Sequence, residues 1–144
     1  MMTVDRILKG KGSEVFTLRP EVTLAEVVEV LAERRIGAIV LLDQVGHVAG
    51  IVSERDVVRV LAKFGASVLE KPIGEAMTVK VQTCTGETPI DEVLAIMTKG
   101  RFRHLPVVEG GRLAGIVSIG DVVKAKIQEA EREAAQMREY IAAG

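Results

Sequence analysis

A chain of 144 residues, 48% hydrophobic and 27% charged, has room for one compact domain or two small co-dependent ones, with an aliphatic core because it holds no Trp, one Tyr and three Phe. Nineteen basic against 20 acidic residues leave a net charge of −1, so no global field draws in nucleic acid or an anionic membrane, and platforms for stacking bases are missing. The lone cysteine, Cys84, excludes an internal disulfide, and the longest apolar run, Ile36 to Leu42, is far below the roughly 20 residues of a membrane-spanning helix.

Residues 1–13 read as an N-terminal extension. Met1-Met2-Thr3-Val4-Asp5-Arg6 brings an acid early and lacks the apolar stretch of a signal peptide, so a cytoplasmic protein is expected. A short strand, Val15 to Leu18, ends at Arg19-Pro20. A helix follows from Leu24 to Arg34, with Leu24, Val27, Val28 and Leu31 forming one apolar stripe. Thr23 caps it, and Glu26 completes the capping pattern. Strands Ala38 to Leu42 and Val48 to Val52 flank the Asp43-Gln44-Val45-Gly46 turn, and a second helix starts after Ser53 and reaches about Ala62.

The order then repeats. A strand is predicted near Val79 to Gln82, a helix from Pro89 to Lys99, and a hairpin of Leu105 to Val108 with Leu113 to Val117. The last helix begins after Ser118 and runs on toward Tyr140, with Ile127, Ala130, Ala134, Met137 and Ile141 along one face. Such a stripe packs on its own domain or on a second subunit. The boundaries this gives are 14–66 and 79–127 for two equivalent domains, 67–78 for a linker and 128–144 for a helical tail.

The repeat is explicit in the residues. Ala49-Gly50-Ile51-Val52-Ser53-Glu54-Arg55-Asp56-Val57-Val58 recurs as Ala114-Gly115-Ile116-Val117-Ser118-Ile119-Gly120-Asp121-Val122-Val123, with eight of ten positions identical. Upstream, the run from Arg35 sets against the run from Arg101 at an offset one residue longer. The predicted fold is α/β: two related β-α-β-β-α halves, sheets packed together, with clefts where they meet.

The doubled Gly-Ile-Val-Ser-x-x-Asp admits two readings. Ser53 with Asp56, and Ser118 with Asp121, can simply start a helix. Alternatively, free amides at a helix N-terminus and the serine hydroxyl take a phosphate, while the acceptor-only carboxylate suits a ribose diol. Arg103 and His104 open the second hairpin, where the first half has only Gly37 and Ala38. The half-site around Asp121 is therefore expected to be the better equipped for phosphate. Arg35 and Arg101 read as surface charges. Glu54 and Arg55, replaced by Ile119 and Gly120 in the second copy, are either ligand contacts in one cleft or an exposed helix start.

Other chemistry finds little support. Lys9-Gly10-Lys11-Gly12-Ser13 lacks phosphate-loop spacing, and the only histidines, His47 and His104, occupy non-equivalent positions, so no metal site is expected. Cys84 reads as a buried small residue.

On Arg103-His104-Leu105-Pro106-Val107-Val108, the doubled Gly-Ile-Val-Ser-x-x-Asp and the repeated element order, the chain resembles a tandem pair of CBS domains, or Bateman module, over about Glu14 to Lys126. The resemblance implies a non-catalytic regulatory module that binds AMP, ADP, ATP, NAD or S-adenosylmethionine between its halves and requires no cofactor. It places Asp56 and Asp121 on ribose, Ser53, Ser118, Arg103 and His104 on phosphate, and the segments holding Thr17 and Val81 beside the base. It also implies a homodimer and a separate target protein. The alternative is a dimerisation scaffold with a vestigial cleft.

Overall fold

The computed structural model describes residues 2–75 and 78–143. Its first element, α1 (Val4–Lys11), precedes two copies of one unit. The first comprises β1 (Thr17–Leu18), α2 (Leu24–Arg34), β2 (Ala38–Leu42), β3 (Val48–Ser53) and α3 (Glu54–Phe64). Two short 3-10 turns, Ala66–Glu70 and Ile73–Glu75, lead to α4 (Ile90–Gly100), β4 (His104–Glu109), β5 (Arg112–Ser118) and α5 (Ile119–Ala143).

Duplication extends to the hydrogen-bond register. β2 and β3 are antiparallel with Ala38 opposite Ser53, and β4 and β5 place His104 opposite Ser118. Each hairpin slips register once, between Leu41 and Leu42 and between Val107 and Val108, at equivalent positions. β1 pairs in parallel with β2, Leu18 meeting Leu41; in the second unit Cys84 meets Val107 as an isolated bridge.

The strand expected at Val79 to Gln82 does not form. Its alternating valines imitate a strand, but Val79 is exposed, and the residue aligned with Leu18 lies further on at Cys84. Upstream, the backbone of Thr78 instead exchanges two hydrogen bonds with Ile51, at 3.1 and 2.9 Å. The first strand is likewise shorter than expected, and the last helix longer.

Core positions repeat as the sequence does. Leu24, Val27, Leu31, Ile39 and Leu41 in one cluster correspond to Ile90, Val93, Met97, Leu105 and Val107 in the other. Each cluster also draws on a segment outside its own unit. Met2, Val4 and Ile7 enter the second core, while Val68 and Ile73 enter the first. The docking bonds match: Val4 N–H donates to Thr88 O at 3.0 Å, and Ile73 N–H to Val22 O at 2.7 Å. Segments that read as extension and spacer thus complete the two cores.

Ile73 tests this. Truncation of a fully buried isoleucine costs about 2–5 kcal/mol, whereas an exposed spacer residue changes stability by about 0.5 kcal/mol or less. Ile73→Ala is expected to fall in the first range by urea denaturation.

Candidate functional site

A strand running into a helix at Ser53 creates the local geometry of the first motif. Ser53 Oγ accepts from Asp56 N–H at 3.3 Å, and Asp56 Oδ2 accepts from Ser53 N–H at 2.8 Å and from its hydroxyl at 3.1 Å. This reciprocal box satisfies the amides that a helix start leaves open. Asp56 Oδ1 accepts from Arg59 at 2.9 Å, a bond from an arginine largely in solvent. A carboxylate offers about four acceptor sites, so capping and ligand binding are compatible.

Asp56 faces a cavity of about 450 Å³ at the seam between the halves. Ser53, Glu54 and Arg55 line it from the first half; Val81, Arg101, Arg103 and His104 line it from the second. Lys80, Ile51 and Phe102 complete its wall. The sequence expectation had grouped Arg103 and His104 with Asp121; both line the cavity with Asp56, while His104 also stands opposite Ser118 across the hairpin and feels the charges of Asp121 and Lys11. The reason is topological: β4 starts on the far side of the seam, so its leading residues reach toward the opposite half's helix.

Asp121 is placed differently. Ser118 N–H donates to Asp121 Oδ2 at 2.8 Å and Ser118 Oγ accepts from Asp121 N–H at 3.1 Å, repeating the box. The same Oδ2, however, accepts from the Lys11 ammonium at 2.7 Å, and Lys11 also donates to Ile116 O at 3.1 Å. Burial alone would raise the Asp121 carboxyl, but the bonds from Lys11 and Ser118 outweigh it and hold it below the usual value. Ser118 and Asp121 do not line the 450 Å³ cavity, and Thr17 lies at a separate shallow pocket with Asp43 and Gln44.

His104 rests edge-on against Gly37. A β-carbon on Gly37 would come within 2.9 Å of the imidazole, so a side chain there would make the ring shift. Burial pushes the His104 imidazole below its ordinary pKa; Glu54 and Asp121 oppose that, while Lys11 and Arg103 reinforce it. The ring is neutral at pH 7.

Sequence reasoning missed part of the wall. Arg101 read as a surface charge, yet it lines the cavity and holds a left-handed backbone, φ 58°. Its counterpart Arg35 shares that conformation, φ 54°. Both end a helix with the backbone N–H bonded to the preceding turn, where glycine is the usual choice. The repeated use of arginine in a strained position was the available signal. Glu54 and Arg55, left open between two readings, line the cavity. Cys84 is buried, its thiol pushed up to about 12 by burial, with Glu109 and Glu92 adding to the effect, so it is chemically quiet. Among the described residues, no group of His, Cys, Asp and Glu converges as a metal site, and no helix is long and apolar enough to cross a membrane.

Two α/β units of matching hairpin register, with a cavity of small-molecule size at their seam, define a duplicated two-domain module. The chain belongs to the CBS-domain family: the CBS domain profile matches residues 12–63 and 73–128. The crystal structure of a CBS-domain containing protein from Agrobacterium tumefaciens is 47% identical, covers 86% of this chain and 92% of its own, and superimposes with a TM-score of 0.84. The CBS domain pair of protein MJ0100, solved in complex with 5-methylthioadenosine and S-adenosyl-L-methionine, is 26% identical with a TM-score of 0.80, covering 90% and 98%. A mitochondrial CBS domain-containing protein of Arabidopsis thaliana, CBSX3, is 31% identical over 99% of this chain and 73% of its own.

The lowered His104 pKa has a stability consequence. An unfolded histidine takes up a proton near pH 6.5, whereas the folded one resists it. Between the two values the unfolded chain binds more protons, so the folded state loses stability as pH falls through 6.5, and this loss ends below the folded pKa. Denaturation at pH 7.5 and 5.5 is expected to show a smaller decline in His104→Gln than in the unaltered chain.

Proposed function

We propose that the chain is a non-catalytic regulatory sensor that binds an adenosine-containing, phosphate-bearing ligand in the seam beside Asp56. The observation that carries this reading is the composition of the cavity. Its 450 Å³ falls within the range of small-molecule sites. Asp56 offers acceptors to a ribose diol, Ile51, Val81 and Phe102 supply apolar surface for a base, and Arg101 and Arg103 with the neutral His104 and Ser53 receive phosphate.

Charge favours a phosphate over a sulfonium. Four cations, Arg55, Lys80, Arg101 and Arg103, face the cavity with two carboxylates, Glu54 and Asp56. That excess supports AMP, ADP, ATP or NAD over S-adenosylmethionine. The complex of the MJ0100 domain pair supports the adenosine moiety itself. A role in the cytoplasm, acting on a separate target protein, is part of the same reading.

The sensor is a homodimer, its partner a second copy of this chain. Val123, Ile127, Ala130, Ala134, Met137 and Ile141 follow alternating four- and three-residue steps along the exposed face of α5, the heptad pattern of a coiled-coil seam. In a parallel pair, Lys126, which already bonds Asp91 at 2.7 Å and Glu129 at 3.0 Å, would also face the partner's Glu131, and Glu133 the partner's Arg138. An antiparallel pair centred on the same seam would set Glu131 against the partner's Glu131. The charges choose the parallel pair.

A thermal-shift panel of AMP, ADP, ATP, NAD and S-adenosylmethionine tests the ligand. A ligand at about 100 times its dissociation constant adds about 2.7 kcal/mol of stability. Asp56→Ala, measured against its own ligand-free melting temperature because the capping box costs about 0.5–2 kcal/mol, is expected to lose most of the shift. Arg101→Gly is expected to weaken the response and Arg35→Gly to leave it unchanged. No shift with any of the five compounds would return the chain to the scaffold reading, and an undiminished shift in Asp56→Ala would put the ligand somewhere other than this cavity.

The dimer has its own test. Met137→Cys is expected to form a disulfide-linked dimer on mild oxidation, Cys84 staying unreactive. A monomer in sedimentation at tens of micromolar, or a dimer that never cross-links, would refute the parallel seam.

A further inference from the structure

The two copies of the motif do not stand in equivalent surroundings. Around Asp56, the carbonyl of Ile51 is taken by the backbone of Thr78, and the carboxylate turns toward the open cavity. Around Asp121, the corresponding carbonyl of Ile116 and the carboxylate converge on a single ammonium, that of Lys11, at 3.1 and 2.7 Å. We propose that Lys11 is a built-in occupant of the second seam, which restricts the chain to one adenosine ligand; the proposal rests on the nucleotide reading above.

Lys11 is delivered by a docked element. Val4 is fully buried, Val4 and Asp5 donate backbone hydrogen bonds to Thr88 and Gly86, and Leu8 lies over Gly115. A β-carbon at Gly115 would come within 2.8 Å of the Leu8 side chain, so the glycine lets α1 settle onto β5. Helix α1 then ends at Gly12, whose φ of 94° turns the chain away and leaves Lys11 at the rim of the second seam.

An exposed ion pair of this kind adds little to stability, since solvent screens it and ordering a long side chain costs entropy. The Asp121 carboxylate is 23% exposed and the Lys11 side chain 35%, so the pair is partly sheltered but not sealed. Its importance lies in occupancy. A ribose diol needs a carboxylate with free acceptor sites in an open space. Free acceptor sites do not separate the copies, since Asp56 takes three donors and Asp121 two; the difference is that the Lys11 ammonium stands in the space before Asp121, bonded to the oxygen shared with Ser118 N–H. Phosphate would fare no better: the positions equivalent to Arg103 and His104 are Gly37 and Ala38. Lys11 thus determines which of two homologous seams takes a ligand.

Titration calorimetry with AMP on five folded proteins tests this: the unaltered chain, Asp56→Ala, Lys11→Ala, Lys11→Gln and the double variant of Asp56→Ala with Lys11→Ala. One equivalent per chain is expected for the unaltered protein, none for Asp56→Ala, a second weaker equivalent in Lys11→Ala, and that weaker one alone in the double variant. Lys11→Gln, uncharged and one bond shorter, withdraws the ammonium from Asp121 and is expected to give the second equivalent as Lys11→Ala does. Two equivalents in the unaltered chain, or a single one in both Lys11 variants, would overturn the gate and leave the nucleotide reading standing. No AMP binding in any protein would overturn both. A readout without ligand accompanies it: carbon NMR titration of Asp121 is expected to move upward in Lys11→Ala, and an unmoved titration would show that Lys11 does not hold the carboxylate.

Discussion

Neither half of this molecule closes its own core, and that constraint governs the rest. A unit of two or three short strands and two helices is too small to bury enough apolar surface alone. Each therefore takes in a foreign segment, Val68 to Ile73 for the first and Met2 to Ile7 for the second. These segments differ in sequence and approach, and residues that follow each of them lie against a motif strand. One brings the backbone of Thr78 beside Ile51; the other brings the ammonium of Lys11 beside Ile116. The asymmetry of the seams follows from how the cores are finished.

The reciprocal Ser–Asp box links this architecture to chemistry. In both copies the box starts a helix at the point where a strand ends, which fixes the carboxylate beside the seam. Capping thus positions the acid as well as stabilising the helix. The environment then differentiates the copies: Asp56, paired with the largely solvent-held Arg59, borders an open cavity, whereas Asp121 meets a lysine that also takes the carbonyl of Ile116.

Much of this was legible from residue patterns, and the reasons for the rest are physical. Helices with apolar stripes and caps, such as Leu24–Arg34, and hairpins with repeated registers follow from local periodicity. The false strand at Val79 to Gln82 arose because alternation alone cannot say which residue finds a partner; pairing with Val107 selected Cys84 instead. Within the candidate site, Ser53, Asp56, Arg103, His104 and Val81 were found by motif and resemblance, and they share one cavity. Their grouping was not legible. Sequence adjacency assigned Arg103 to the half that contains it, whereas the crossing of the halves aims it at the other. Lys11 lay beyond pattern reasoning because its partner is more than a hundred residues away and nothing local marks the encounter.

Gly37 beneath His104 carries a consequence for how the halves can diverge. Where one subdomain presses an imidazole onto its twin, the twin must answer with bare backbone. The repeat sets Arg103 opposite Gly37 and Ala38 opposite His104, so the symmetry-related pair cannot repeat the contact and only one imidazole is pressed between the halves. A side chain introduced at Gly37 would force the ring to shift, and with it one wall of the cavity.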